Sequence, residues 1–138
     1  MTMRRWYILF FLPILLGLAA CGADVARLTP AEAAQRVAAG TAVLIDVRES
    51  GEWAQTGIVV GATPLALSDL RGERRCWKPF LAAHKDRELI LYCRSGNRSG
   101  QAAAILSAEG YRTANAGGLR DWLATGQPTA PFTGAGRP

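Results

Sequence analysis

The chain has 138 residues, of which 49% are apolar and 20% charged, with a formal net charge of +5. That length fits one ordinary domain and leaves no room for a second independent core, while the balance excludes both a disordered chain and one that crosses a membrane many times. The basic residues are interspersed with acids rather than gathered on one stretch, so nucleic acid is not an expected partner.

Arg4 and Arg5 precede a mostly apolar run from Trp6 to Leu18, interrupted by Pro13. The run is shorter than the roughly 20 apolar residues a membrane-crossing helix needs, and it gives way to small residues, the pattern of a cleaved targeting segment. Leu18, Ala19, Ala20 and Cys21 resemble the bacterial lipoprotein signal, which implies cleavage before Cys21 and a diacylglycerol on its thiol. An ordinary secretory leader would instead leave Cys21 as a stray thiol, a liability in an oxidising compartment. The expectation is a signal peptide over residues 1–20, a lipidated tether over 21–27 and a domain over 28–128, held at a membrane by its acyl chains and facing the periplasm. Gly22, rather than aspartate, after the lipidated cysteine points to the outer membrane where the host has two.

Thr29, Pro30 and Glu32 form a helix start, with Thr29 as N-cap, Pro30 in the first turn and Glu32 three residues after the cap. This helix is predicted to run to about Ala39 and to end at Gly40. "TAVLIDV", residues 41 to 47, and "ELILYC", residues 88 to 93, are short continuous apolar runs, the pattern of strands covered on both faces. The first carries Asp46 near its end and the second finishes on Cys93. Ala102, Ala103, Ile105 and Leu106 recur at helical spacing before Gly110, Tyr111 to Ala116 reads as a further strand, and "GLRDWLATGQP" as a closing helix with Leu119, Trp122 and Leu123 facing the core. Strands alternating with helices imply an α/β fold with a mainly parallel sheet and helices on both faces. The tail from Thr129 to Pro138, rich in Gly, Pro and Thr, is expected to be disordered.

The loop "CRSGNRSG" leaves the end of a buried strand and enters a helix at about Arg98 or Ser99. A loop wrapped at a helix N-terminus turns successive backbone N–H groups inward, making a concave positive pocket around the sulfur. Such a pocket favours thiolate over thiol, and Arg94 and Arg98 add to it. A cysteine inside a strand is usually structural, but Cys93 sits at the carboxyl edge of the sheet, where α/β folds bind ligands.

Three motifs resemble those of single-domain rhodaneses. "LIDVRESGEW", with Asp46, Val47, Arg48, Glu49, Glu52 and Trp53, is similar to the family's DVRE box, "CRSGNRS" to its active-site loop, and "NAGGLRDW" to its closing GG…W segment; the spacing agrees from Leu28 to Pro128. The resemblance implies a five-stranded parallel sheet flanked by helices and a sulfurtransferase in which Cys93 carries a persulfide. Cys93 would attack the outer sulfur of an anionic donor such as thiosulfate or a polysulfide, and a thiol or cyanide would then remove that sulfur, with the inward N–H groups stabilising the charge. Cysteine-dependent phosphatases and arsenate reductases need a cysteine, five residues and then an arginine. Here the arginine arrives one residue early, at Arg98, and Ser99 takes the place of theirs.

Roles follow from these motifs. Ser95, Gly96, Asn97 and Arg98 are expected to supply backbone donors, with Gly96 in a conformation that other residues resist. Arg94 either attracts an anionic donor or is a solvated surface charge. Asp46 is expected to hold loop amides or Arg48 rather than to act as a base. "GIVVGA", residues 57 to 62, departs from the family's GHIPGA-like turn, and "RGERRCWKPFLAAHK", residues 71 to 85, is long enough to form a lip over the site. Cys76 within it is either a second redox thiol or a partly buried bystander. His84, the lone histidine, is expected at a helix end; with three widely spaced cysteines beside it, no metal or other cofactor is expected. A monomer is the expected state. From a different functional class, the same fold could serve as a non-catalytic binding or thiol-sensing module.

Overall fold

The computed structural model of the chain describes residues 24–134. Residues 1–23, Cys21 among them, and residues 135–138 lie outside them, and the expectations of cleavage and lipidation fall there. Five parallel strands form the central sheet, in the order β1 (Ala26–Arg27), β6 (Thr113–Gly118), β5 (Glu88–Cys93), β2 (Ala42–Asp46) and β4 (Ala62–Pro64). The α/β class, the parallel sheet and its five strands are as the motifs implied.

The two long central strands are buried on both sides, which is why they read as unbroken apolar runs. Their side chains alternate between two cores. Leu89, Leu91 and Cys93 of β5 join Ile45 and Val47 on one face, where α3 (Leu67–Arg71) contributes Leu67 and Leu70, α4 (Trp77–Ala83) contributes Trp77 and Leu81, and α5 (Asn97–Ala108) contributes Ala102, Ala103 and Leu106. Ile90 and Tyr92 join Leu44 on the other, against Ala33 of α1 (Pro30–Ala38) and Leu119 and Trp122 of α6 (Leu119–Ala124). The period of two along an extended chain thus assigns Cys93 and Tyr92 to opposite faces.

Helix α1 starts on the expected capping box: the Glu32 amide donates to the Thr29 hydroxyl, and the Thr29 amide donates to the Glu32 carboxylate. Three expectations need correction. Ala26–Arg27, assigned to the tether, is an edge strand of the sheet, held by β6. Leu123 is half exposed rather than in the core, because α6 is short and turns only Leu119 and Trp122 inward. The tail is not free over its described part: β7 (Thr129–Ala130) pairs antiparallel with β3 (Ile58–Val59), and Phe132 packs on Trp53 of α2 (Ser50–Thr56), ring centroids 5.2 Å apart. Its composition resembles that of a disordered tail, but pairing with a strand from elsewhere in the chain supplies the contacts that composition does not reveal.

Candidate active site

Chain order runs from β2 outward to β4 and then returns to β5 and β6 on the other side of β2. The reversal falls between β2 and β5, and ligands bind parallel sheets beyond the carboxyl ends of strands at such a point. Asp46 and Cys93 end those two strands.

Cys93 is fully buried, and the loop after it closes over the sulfur. Gly96, with φ of +91°, is the N-cap of α5, and its amide donates to Cys93 Sγ at 3.1 Å. The Ser99 hydroxyl lies 3.4 Å from the same sulfur. Burial pushes the Cys93 thiol up, but the Ser99 hydroxyl and the amides of Ser99, Ser95 and Gly96 together outweigh it and hold the thiol below its ordinary range. The loop is therefore built for an anionic sulfur. Of the amides expected as donors, that of Gly96 meets the sulfur directly, and the Ser95 amide, with the Ser99 amide beside it, helps to hold the thiol down.

The Arg98 guanidinium does not line the cradle as a free cation. It clasps Glu52 of α2 with two bonds of 2.6 and 2.7 Å, tying the first turn of α5 to α2. That bond drives the Glu52 carboxyl down to about 2, against a smaller opposing effect of burial. Arg94 is exposed and makes no ion pair among the described residues. It borders a cavity of about 740 Å³, together with Ser95, Arg48, Glu52, Gln55 and residues of α6 that include Arg120 and Leu123.

Asp46 and Arg48 are buried beside this site rather than within the cradle. Asp46 accepts the backbone amide of Arg48 at 3.0 Å, its guanidinium NH2 at 2.6 Å and the Tyr92 hydroxyl at 2.6 Å. Arg48 also donates to Thr56 Oγ1 and the Gly57 carbonyl, each at 2.7 Å. Every charge in the network has a partner, as buried charges require. Burial, with the Asp46 carboxylate second, keeps Tyr92 protonated far above its ordinary range, so it serves as a donor. Of the two expectations for Asp46, holding Arg48 is the one the geometry realises.

None of the residues from Arg71 to Lys85 lines the cavity beside Arg94 and Ser95. The segment forms α4 and its approaches; Arg74 pairs with Glu109 at the end of α5, and Cys76, Pro79, Phe80 and His84 line a separate groove of about 610 Å³ that also holds Trp53 and Phe132. Cys76 is a free thiol there, and His84 caps α4 with its ring tilted against Phe80, centroids 4.4 Å apart.

Sequence reasoning missed two contributors. Ser99 served only as a measure of spacing, although its place in the first turn of α5 aims its hydroxyl at the sulfur. Gly118 belongs to a recognised motif, but its physical reason appears only in three dimensions: a Cβ there would lie 2.5 Å from the Arg94 carbonyl oxygen.

The rhodanese-like domain family model matches residues 29–125. A sulfurtransferase of Allochromatium vinosum is 38% identical over 90 residues, covering 62% of this chain and 76% of that protein. The thiosulfate:glutathione sulfurtransferase of Saccharomyces cerevisiae is 34% identical over 94 residues, 61% of this chain and 66% of that protein. Among solved structures, a human single-domain sulfurtransferase superposes with a TM-score of 0.56 at 30% identity, over 74% of this chain and 96% of that one.

Proposed function

The chain belongs to the rhodanese-like domain family and is a sulfurtransferase of rhodanese type; from that premise we propose that Cys93 carries a sulfane sulfur from an anionic donor, thiosulfate or a persulfide or polysulfide, to a thiol or cyanide. The observation that supports it most is the buried Cys93 sulfur facing the Gly96 amide and the Ser99 hydroxyl.

With thiosulfate as donor, the Cys93 thiolate attacks the outer sulfur. A new S–S bond forms, the bond to the sulfonate sulfur breaks, and sulfite leaves with the electron pair. The enzyme then holds Cys93 as a persulfide anion. An acceptor thiolate attacks the outer sulfur and departs as a persulfide, returning the Cys93 thiolate; cyanide departs as thiocyanate. Negative charge stays on sulfur throughout, and fixed dipoles serve it without reorganising at each step. Arg94, exposed beside the cavity, draws the anionic donor toward the loop. Ser95, Gly96, Asn97 and Arg98 shape that loop, while Asp46 and Arg48 support the strand end next to it.

The test is mass spectrometry of the protein after incubation with thiosulfate. We expect a 32 Da adduct on Cys93, about one sulfur atom, that cyanide removes, and its loss in Cys93→Ala. Undiminished turnover in that variant refutes the assignment, and a Cys76–Cys93 disulfide in place of the adduct supports the thiol-sensing reading instead.

We further propose that the leader delivers the domain to the periplasm, lipid-anchored through Cys21, on the sequence pattern of Leu18 to Cys21. Growth with labelled palmitate followed by membrane fractionation tests it: label retained by Cys21→Ser overturns the anchor, and label in the inner membrane alone overturns the outer-membrane placement.

A further inference from the structure

Asn115 stands in the interior of β6 and Gly100 in the interior of α5, and each is poorly suited to its element. Asparagine is disfavoured in strands, and glycine in a helix costs roughly 1 kcal/mol relative to alanine. The two residues meet: a Cβ on Gly100 would lie 3.1 Å from Asn115 Nδ2. Residues that break local rules together often do so for a site.

Asn115, 4% exposed, ties β6 to the cysteine loop and the first turn of α5. Its Nδ2 donates to the Gly96 carbonyl at 2.8 Å, and its Oδ1 accepts the Gly117 amide at 3.1 Å and the Ser99 hydroxyl at 2.8 Å. The orientation is forced, because a backbone amide only donates and a carbonyl only accepts; a flipped amide would face both wrongly. The Ser99 hydroxyl has one proton and two acceptors in reach, Asn115 Oδ1 at 2.8 Å and Cys93 Sγ at 3.4 Å.

We propose that Asn115 is a positioning residue for Cys93, accepting the hydrogen bond of the Ser99 hydroxyl when the sulfur is neutral and yielding that bond to the sulfur when the sulfur is charged. A hydrogen bond to an ionised acceptor is about twice as strong as a neutral one, so charge on the sulfur turns the hydroxyl toward it. The Gly117 amide stays on Oδ1, and turning the hydroxyl away therefore leaves no unsatisfied buried acceptor. A neutral amide oxygen at this place can give up the hydrogen bond; a carboxylate would keep it. Among the described residues, the charged groups around the loop include Arg98, already clasped by Glu52, the exposed Arg94, and Asp121, which accepts the Gly118 amide under the loop.

The inference rests on Cys93 being the sulfur carrier, and its test does not depend on a sulfur donor. Iodoacetamide alkylation of the full chain, followed at the Cys93 peptide by mass spectrometry, gives the thiolate titration between about pH 5 and 10. We expect Ser99→Ala to move the inflection upward by about one unit, and Asn115→Asp to do the same, each leaving roughly tenfold less thiolate below it. In the Asn115→Asp background, Ser99→Ala adds no further shift, because the hydroxyl is already withheld from the sulfur. Should Asn115→Asp fail to fold, the Asn115→Leu background decides: with no competing acceptor, the shift caused by Ser99→Ala is larger than in the parent. Equal shifts in every background, or none in any, overturn the proposal. A protein that shows the coupling but takes no sulfur from any donor overturns the functional reading instead.

Discussion

Gly118 passes directly beneath Arg94, so close that a Cβ would lie 2.5 Å from the Arg94 carbonyl oxygen and 3.0 Å from Ser95 Cα. The end of β6 is thus the floor on which the cysteine loop rests. Both neighbouring atoms are backbone, so no side-chain rotation can relieve the contact. Gly118→Ala is expected to displace the loop, reducing persulfide loading at Cys93 by about a hundredfold or more, since misplacement by about 1 Å has effects of that size. Overpacking costs about 1–3 kcal/mol of stability, leaving a folded protein by circular dichroism. Parent-like loading in Gly118→Ala shows that the loop does not depend on this floor.

Among the described residues, Asp46 is the carboxylate that pairs directly with the buried Arg48 guanidinium, and it also accepts the Tyr92 hydroxyl. Asp46→Ala leaves the Arg48 charge buried without its counter-ion. Removing one partner of a buried ion pair costs about 3–5 kcal/mol, a large share of the 5–15 kcal/mol that holds a typical domain. Urea unfolding is expected to show this loss in midpoint. A change below 1 kcal/mol, the size typical of exposed pairs, would mean that the network is open to water.

The Glu52–Arg98 clasp makes stability depend on acid. Folding lowers the Glu52 carboxyl from 4.5 to about 2, so its contribution is complete above about 4.5 and is lost as pH falls from there toward 2. The pair is about 30% exposed, and solvent reduces its worth to about 1–2 kcal/mol. Glu52→Gln is expected to lose that amount at pH 7 and to flatten the fall in melting temperature between pH 5 and 3. A variant whose acid limb parallels the parent's assigns the acid sensitivity to other carboxylates.

Phe132 packs on Trp53 from a segment whose composition suggests disorder. Trp53 is 5% exposed, and β7 holds the segment in place. Phe132→Ala is expected to lower stability by about 1–2 kcal/mol, because a half-buried ring yields less than the 3–5 kcal/mol of a fully buried one. Trp53 fluorescence should also shift to longer wavelength as water reaches its ring. An unchanged spectrum and midpoint would show that the tail contact contributes nothing.

Much of this fold is local in origin and so was legible in the chain. The capping box of α1 is contained in Thr29–Glu32, and the central strands announce themselves because burial on both faces demands apolar residues without interruption. The short edge strands escaped: β1 and β4 have two and three residues, and β4 ends on Pro64, which an edge tolerates because one side needs no ladder. Leu123 misled because helical spacing says which residues share a face, not how far the helix runs over the core.

Within the site, the sequence determined the setting of Cys93: a cysteine at the end of a buried strand, a glycine able to take positive φ, and a helix start after it all fall within Cys93 to Ser99. Tertiary structure decided what that loop touches. Arg98, which sequence placed among the cradle's positive charges, is claimed by Glu52, 46 residues away. The Ser99 hydroxyl is shared with Asn115, 16 residues on, and Gly118 is a glycine because Arg94 lies over it. A local pattern fixes backbone conformation and which way a side chain leaves it, but the partner it meets is set by the crossing of strands distant in sequence. Hydrogen-bond competition at the sulfur is therefore decided only once β6 lies beside β5.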